Sequence, residues 1–460
     1  MSNHDDHHEA TAIDPRIAGA AHEGCLESRL LMSRRSMLGV TAALFSSAFL
    51  PNFALADTDP QARLFVVILR GGMDGIGMVI PKLDSHYQEM RRELALPFSS
   101  TLSLGSDFAL HPGLSRLHKM FNAGDATIIP AAGISLRNRS HFECQDNLEN
   151  GLPVNIANAT GWLNRLLGAL PQGDPLRAHM GIEIGDTPVI LRGPEPVLGW
   201  SPTWFEKSNP ATIANLESAY RKIDIDLWNS LRLGLEADAL ALNSGAGSGG
   251  NLNAMRKGFI GAARLMRARS GPRIAVLSVD GYDTHADQGG VTGQFNDRLT
   301  DLDLALNDLK IEMGSAWSKT VTICVTEFGR TVRTNGDGGT DHGVGTAGIL
   351  VGGALKGGIV GDWPGIAQAQ LYEDSALVPS VDLRSVFKGV LRDHLGVPID
   401  ILNSTVFPDS EAARPTPNLI GSPTSSQRRL ADFNRPPTLQ ETSPILRYRR
   451  KHGVDAALGL

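Results

Sequence analysis

The sequence predicts an α/β protein, a three-layer α/β/α sandwich around a largely parallel central sheet. Three observations predict it. Nearly continuous apolar runs of strand length recur along the chain, and such runs suit strands covered on both faces. Stretches with helical spacing alternate with them. Acidic residues and histidines cluster just beyond the runs, where ligands gather in open parallel sheets.

The first strand candidate is ARLFVVILR at 62–70, which runs into GGMDG at 71–75. ATIIPAAGI at 126–134 is the second, and residues 140–149 after it read as a helix. Between 160 and 240, helical patterns (GWLNRLLGAL and SAYRKIDIDLWNSLRLGLEADAL) mix with short strand candidates such as TPVILRG. NSGAGSGGN at 243–251 reads as a flexible surface connection. The later half is more regular. RIAVLSVD (273–280), TVTICVT (320–326) and AGILVGG (347–353) are strand candidates, and 295–313 and 380–396 carry helical patterns. From about residue 411 the chain turns rich in Pro, Ser, Thr and Arg, and 411–460 reads as an extended tail.

Composition is that of a globular protein, 42% hydrophobic and 20% charged over 460 residues. The formal charge of -6, with no central block of Lys and Arg, gives no nucleic-acid footprint. No repeat period appears. Residues 33–50 read SRRSMLGVTAALFSSAFL: paired arginines, then an apolar run too short to span a bilayer comfortably. Ala54-Leu55-Ala56 is a small-x-small cleavage pattern. Residues 1–56 are therefore expected to be a twin-arginine signal peptide and 57–410 the folded domain. The expected partner is the twin-arginine export machinery, the location periplasmic or secreted, with no stable membrane anchor. HDDHHEA lies upstream of the cleavage pattern and is read as leader. Of the three cysteines, Cys25 falls in the leader; Cys144 and Cys324 are expected as buried thiols.

Asp74 follows the first strand candidate, Ser140 and His141 the second, Asp280, Asp283 and His285 the third, and Glu327 the fourth. Asp341 and His342 precede the last. This donor mix suits a divalent ion, whether zinc, manganese, magnesium or calcium. Each residue also has a structural reading. Asp74 fits a turn, Asp283 and His285 a helix cap with a surface histidine, and Asp341-His342 a glycine-rich turn. Glu327 fits an ion pair with Arg330. Ser140 fits the S-x-x-E capping box with Glu143, yet a helix N-terminus also suits an anion or a nucleophile. GxSxG, HExxH, CxxC and P-loop patterns are absent, and GGMDGIGMVI does not match GxGxxG.

The set LRGGMDG, RSHFECQ, DTHADQ, TEFGRT and GGTDHG…VGG, in this order behind a twin-arginine leader, resembles the bacterial domain of unknown function 1501 family over nearly all of 33–410. That family is similar, more distantly, to the alkaline phosphatase and sulfatase superfamily. The wider resemblance implies an alkaline phosphatase-like fold with two divalent metals at the carboxyl edge of the sheet and a nucleophile at a helix start. Residue by residue, it implies Ser140 as nucleophile and Asp283, His285 and His342 on a first metal. Asp74 and Glu327 fall on a second. Phe328 stands where the superfamily has a histidine, so the second site is depleted, and Asp341, His141 or His111 are candidates for the gap. Arg330 or Arg139 would hold the anion's free oxygens. The expectation is an exported metal-dependent hydrolase-like protein acting on phosphate or sulfate esters, small or polymeric. The alternative is a secreted, catalytically inactive binding protein on the same fold.

Overall fold

The computed structural model describes residues 61–421, apart from 155, 157–158, 171–180, 186–187, 203–208, 248–251 and 269. The expected leader and residues 422–460 of the expected tail lie outside the described residues. No described helix is long and apolar enough to cross a membrane.

Every residue of β1 (Arg63–Leu69) is buried. Its side chains alternate between faces, as a pleated strand requires, and each face feeds its own core. Phe65, Val67 and Leu69 join Phe259, Leu302 and Leu306, from the helices Ala254–Arg267 and Gln294–Met313. Leu64, Val66 and Ile68 join Leu148, Trp162 and Phe387, from the helices His141–Asn150, Trp162–Ala169 and Leu383–Leu395. Helices thus cover both faces of one sheet, which is the expected three-layer sandwich.

The remaining strands are β2 (Val79–Pro81), β3 (Leu102–Ser103), β4 (Phe108–Leu110), β5 (Ala126–Gly133), β6 (Gly181–Ile184), β7 (Leu198–Trp200), β8 (Ile274–Val279), β9 (Thr320–Val325), β10 (Thr346–Val351), β11 (Gly358–Ile359) and β12 (Val381–Asp382). The main sheet has the order β11-β5-β10-β9-β1-β8-β6-β7, with β12 also paired to β5. Strands β2, β4 and β3 make a small separate sheet. In the main sheet β10 runs antiparallel to both β9 and β5, while the other pairs are parallel. That one reversal positions the site. The chain leaves β1, β8 and β9 at the carboxyl edge, and it enters β10 at the same edge, so a residue just before β10 meets residues just after the others.

Two local expectations are corrected. TPVILRG is not a strand: Val189–Leu191 form a 3-10 turn. Side chains take its backbone groups instead of a ladder, with the Ile190 N–H donating to Glu149 at 3.0 Å and Asn164 donating to the Leu191 carbonyl at 2.9 Å. The helical pattern at 218–240 is two helices, Pro210–Ile223 and Ile225–Ser244, divided at Asp224, whose carboxylate caps the second. The first residues of the expected tail are ordered against the domain. The Lys356 N–H donates to the Leu419 carbonyl and the Gly421 N–H to the Ala354 carbonyl, at 2.9 and 2.8 Å.

Candidate metal centre

Four loops meet at the carboxyl edge. Beyond β1, Gly71 and Gly72 take φ of +114° and +65°, a region that favours glycine. A Cβ would lie 2.5 Å from the Asp283 nitrogen at Gly71, and 2.3 Å from the Phe328 ring at Gly72. The glycine pair therefore lets three loop backbones close on one another. Phe328 is buried and packs under two imidazoles, with ring centroids 4.7 Å from His141 and 4.9 Å from His342.

Above that ring, His342 Nε2 lies 3.0 Å from His141 Nε2, 2.9 Å from His285 Nε2 and 3.2 Å from Asp283 Oδ1. Asp283 Oδ1 is also 3.0 Å from His285 Nε2, and Asp283 Oδ2 is 3.4 Å from His141 Nε2. Donor atoms of His141, Asp283 and His342 all fall within 4.8 Å of one another. The outer nitrogens decide what these contacts are. His141 Nδ1 faces Glu327 Oε1 at 2.8 Å, and His342 Nδ1 faces the Arg139 carbonyl at 2.9 Å. Those oxygens only accept, so each Nδ1 carries the proton and each Nε2 presents a lone pair. His285 Nδ1 faces Asp341 Oδ1 at 3.5 Å, and Arg330 Nη1 approaches His285 Nε2 at 3.4 Å. The same Nε2 also faces Asp283 Oδ1 at 3.0 Å, an acceptor, so the contacts of His285 do not fix its tautomer.

Lone pairs aimed at one point repel unless a cation lies between them. One proton can bridge one such contact but not all of them. Zinc–nitrogen bonds of about 2.0–2.1 Å at tetrahedral angles would set neighbouring donors about 3.3 Å apart, close to the separations here. Outer oxygens that orient metal-binding imidazoles are the usual companions of such ligands.

Electrostatics agrees with the geometry. Burial pushes the Glu327 carboxyl up, but hydrogen bonds from His141, Gln145 and the Gly71 N–H outweigh it and take the pKa to about 2. Glu327 is thus an anion in the core, and its bond to His141 raises that imidazole's pKa. Burial lowers the pKa of His342. Burial raises Asp283, and the Arg330 guanidinium more than reverses it, so the net shift is downward.

The family model described as "Protein of unknown function (DUF1501)" matches residues 137–400, more than half of the chain. This chain belongs to the DUF1501 family. No curated protein matches it. Among solved structures, the zinc complex of the C-terminal periplasmic domain of EcEptC from Escherichia coli is similar at 8% identity and TM-score 0.32, over 63% of this chain and 72% of that one. Ps i-CgsB is similar at 11% identity and TM-score 0.32, over 77% of each chain. Phosphonate monoester hydrolase of Agrobacterium radiobacter is similar at 9% and 0.27, over 75% of this chain and 77% of that one. Likeness at this level says nothing of activity.

In this DUF1501 chain the residues expected at the site divide into two groups. Asp283, His285 and His342 lie together. His141, weighed in the sequence only as a gap-filler, joins them as a full member. Glu327 and Asp341 stand one step back. Glu327 orients His141, and Asp341 is held by Asn335 at 3.0 Å behind His285. Asp74 is elsewhere. It is buried, caps the Gly75–Met78 turn, pairs with Arg91 and accepts from Gln288 at 2.6 Å. Asp280 is exposed and outside the cluster. His111 bonds the Gly290 carbonyl at 2.9 Å and accepts from Gly113.

Two expected roles are corrected. Arg330 is not the partner of Glu327, and it does not face outward to hold an anion. Its guanidinium is buried and donates to the carbonyls of Gly71, Gly72, Tyr282 and Thr340 and to Asp283, and its remaining N–H faces His285 Nε2. Arg330 therefore locks the loops and the Asp283 ligand. The capping box at Ser140 does not form, and Asn138 replaces the Glu143 half of it. The Asn138 side-chain oxygen Oδ1 accepts from the Ser140 N–H at 2.8 Å, and its Nδ2 donates to the Glu143 carboxylate. The Ser140 hydroxyl makes no capping bond, at a helix start one residue from His141.

Nothing in the sequence marks Arg91 or the Arg139 carbonyl, whereas Gln145 and Gln288 close the motifs RSHFECQ and DTHADQ. Gln288 lies inside DTHADQ and ties loops together. Its Oε1 accepts from Thr284 and Thr340 at 2.8 Å each, the residues just before His285 and Asp341.

Proposed function

We propose that this chain is an exported, divalent-metal-dependent hydrolase of phosphate or sulfate esters, with an alkaline phosphatase-like arrangement of its site. One observation carries the reading: three imidazoles and one carboxylate converge at the carboxyl edge of the sheet, with His141 and His342 each oriented from behind by an oxygen. His141, Asp283, His285 and His342 would hold the ion. Imidazole-rich donor sets favour zinc among the candidates, since magnesium and calcium take oxygen ligands. A bound ion supplies Lewis acidity to the ester oxygens.

The chain's own residues do the rest. Arg330 offsets the charge of Asp283, so a divalent ion outweighs Glu327 and gives an anionic ester a positive partner. Ser140, its hydroxyl free of capping, is the nucleophile candidate at the positive end of the His141–Asn150 helix. Export rests on the twin arginines of the leader.

The test uses mature protein loaded with zinc and chromogenic phosphate and sulfate monoesters. Hydrolysis of one class, abolished in His342→Ala and in Ser140→Ala, is expected. No rate above background on either class would refute the reading. The inactive binding protein gains from one feature: Arg330 faces inward, away from any bound anion. Tight binding of inorganic phosphate or sulfate to the zinc-loaded protein without turnover would select it.

A further inference from the structure

We infer that the centre holds one divalent ion, and that fixed protein donors have closed the place of a second. The inference rests on the metal-centre reading above and disagrees with the pair of ions that the wider resemblance implies.

A second ion needs free carboxylates or imidazoles within reach of the first, and the two carboxylates expected to supply it are spent. Glu327 Oε1 accepts from His141, Gln145 and the Gly71 N–H at 2.8, 3.0 and 2.9 Å, and Oε2 accepts from Thr326 at 2.8 Å. Asp74 Oδ2 accepts from the buried Arg91 guanidinium and from Gln288 at 2.6 Å, while Oδ1 accepts from the Gly77 N–H at 3.1 Å. Arg91 is itself anchored by the Val332 carbonyl at 3.2 Å. A guanidinium thus occupies the position beside Asp74 that a metal would take, and it carries positive charge there permanently. Phe328 adds a third obstacle. Its buried ring touches the faces of His141 and His342 and seals the space beneath them with carbon. Among the described residues, the group of possible ligand atoms that lie close to one another is the His141, Asp283 and His342 cluster.

The test is a titration of chelator-stripped mature protein with zinc, read as ions per chain by native mass spectrometry. One ion per chain is expected, lost in His342→Ala and retained in Asp74→Asn. Should Asp74→Asn fail to fold, the wild-type stoichiometry decides alone. Two ions bound with dissociation constants within about tenfold of each other would overturn the inference, as would loss of an ion in a folded Asp74→Asn variant. Ester hydrolysis is scored separately. One ion without hydrolysis leaves this inference standing and removes the proposed function. Two ions with hydrolysis do the reverse, and no ion removes both.

Discussion

Two polar clusters sit at the same edge of one sheet, and they differ in completeness. Around Asp74, every carboxylate oxygen has a donor and the buried charge has its opposite in Arg91. Around His342, its Nε2 meets the Nε2 atoms of His141 and His285 at 3.0 and 2.9 Å. Both clusters contain a residue that the sequence alone assigns to metal binding. The difference teaches that ligand chemistry is a property of what the second atom of each side chain touches. Asp74 has its partners within the chain, while His141 and His342 are held from behind and meet each other nitrogen to nitrogen in front.

Breaking the complete cluster should cost the most. Arg91→Met leaves Asp74 buried without its cation and is expected to lower stability by about 3–5 kcal/mol, read from the denaturant midpoint. The double variant with Asp74→Asn should cost less than the two single changes together. If the Asp74 region were instead a metal site, added zinc would rescue Arg91→Met, and the contrast would fail. In the incomplete cluster, the ion itself should be the large term. Zinc at 100 times its dissociation constant should stabilise the fold by about 2.7 kcal/mol, seen as a fall in melting temperature on chelation. An unchanged melting temperature would show that the imidazoles meet without a cation.

Finer changes sharpen the comparison. Glu327→Gln keeps an acceptor for His141 but removes the charge, and should weaken zinc binding about 10–100-fold; calorimetric titration measures it. Asn138→Ala removes the acceptor of the Ser140 N–H and should cost about 1 kcal/mol. Ser140→Ala should change stability by less than about 0.5 kcal/mol, because the hydroxyl caps nothing. A loss near 1 kcal/mol in that variant would restore the helix-cap role.

The principal strands were legible because continuous apolar runs are an unambiguous signal when both faces of a sheet are covered. ARLFVVILR and TVTICVT became adjacent parallel strands in register from Arg63 and Thr320. The reversal of β10 was not legible, since direction leaves no mark on an apolar run. TPVILRG misled for the opposite reason: its apolar residues are buried, but a glutamate and an asparagine from distant helices hold its backbone. At the site, Asp283, His285 and His342 could be read from their positions beside strands. His141 was harder to rank, because a residue inside a helix start resembles part of the cap. Arg91 could not be read at all. Its meaning depends on Asp74 across the fold, and nothing in YQEMR distinguishes it from a solvated arginine.

The centre is also assembled from far-apart pieces of chain. His141 and His342 are separated by 201 residues, yet their ring nitrogens stand 3.0 Å apart. Closing loops of that length comes late, after local structure has formed and the strands between them have docked. No nascent fragment ending before His342 contains the full set of donors. An ion held as proposed would therefore enter a finished scaffold rather than nucleate one, and metal occupancy would be a readout of completed folding.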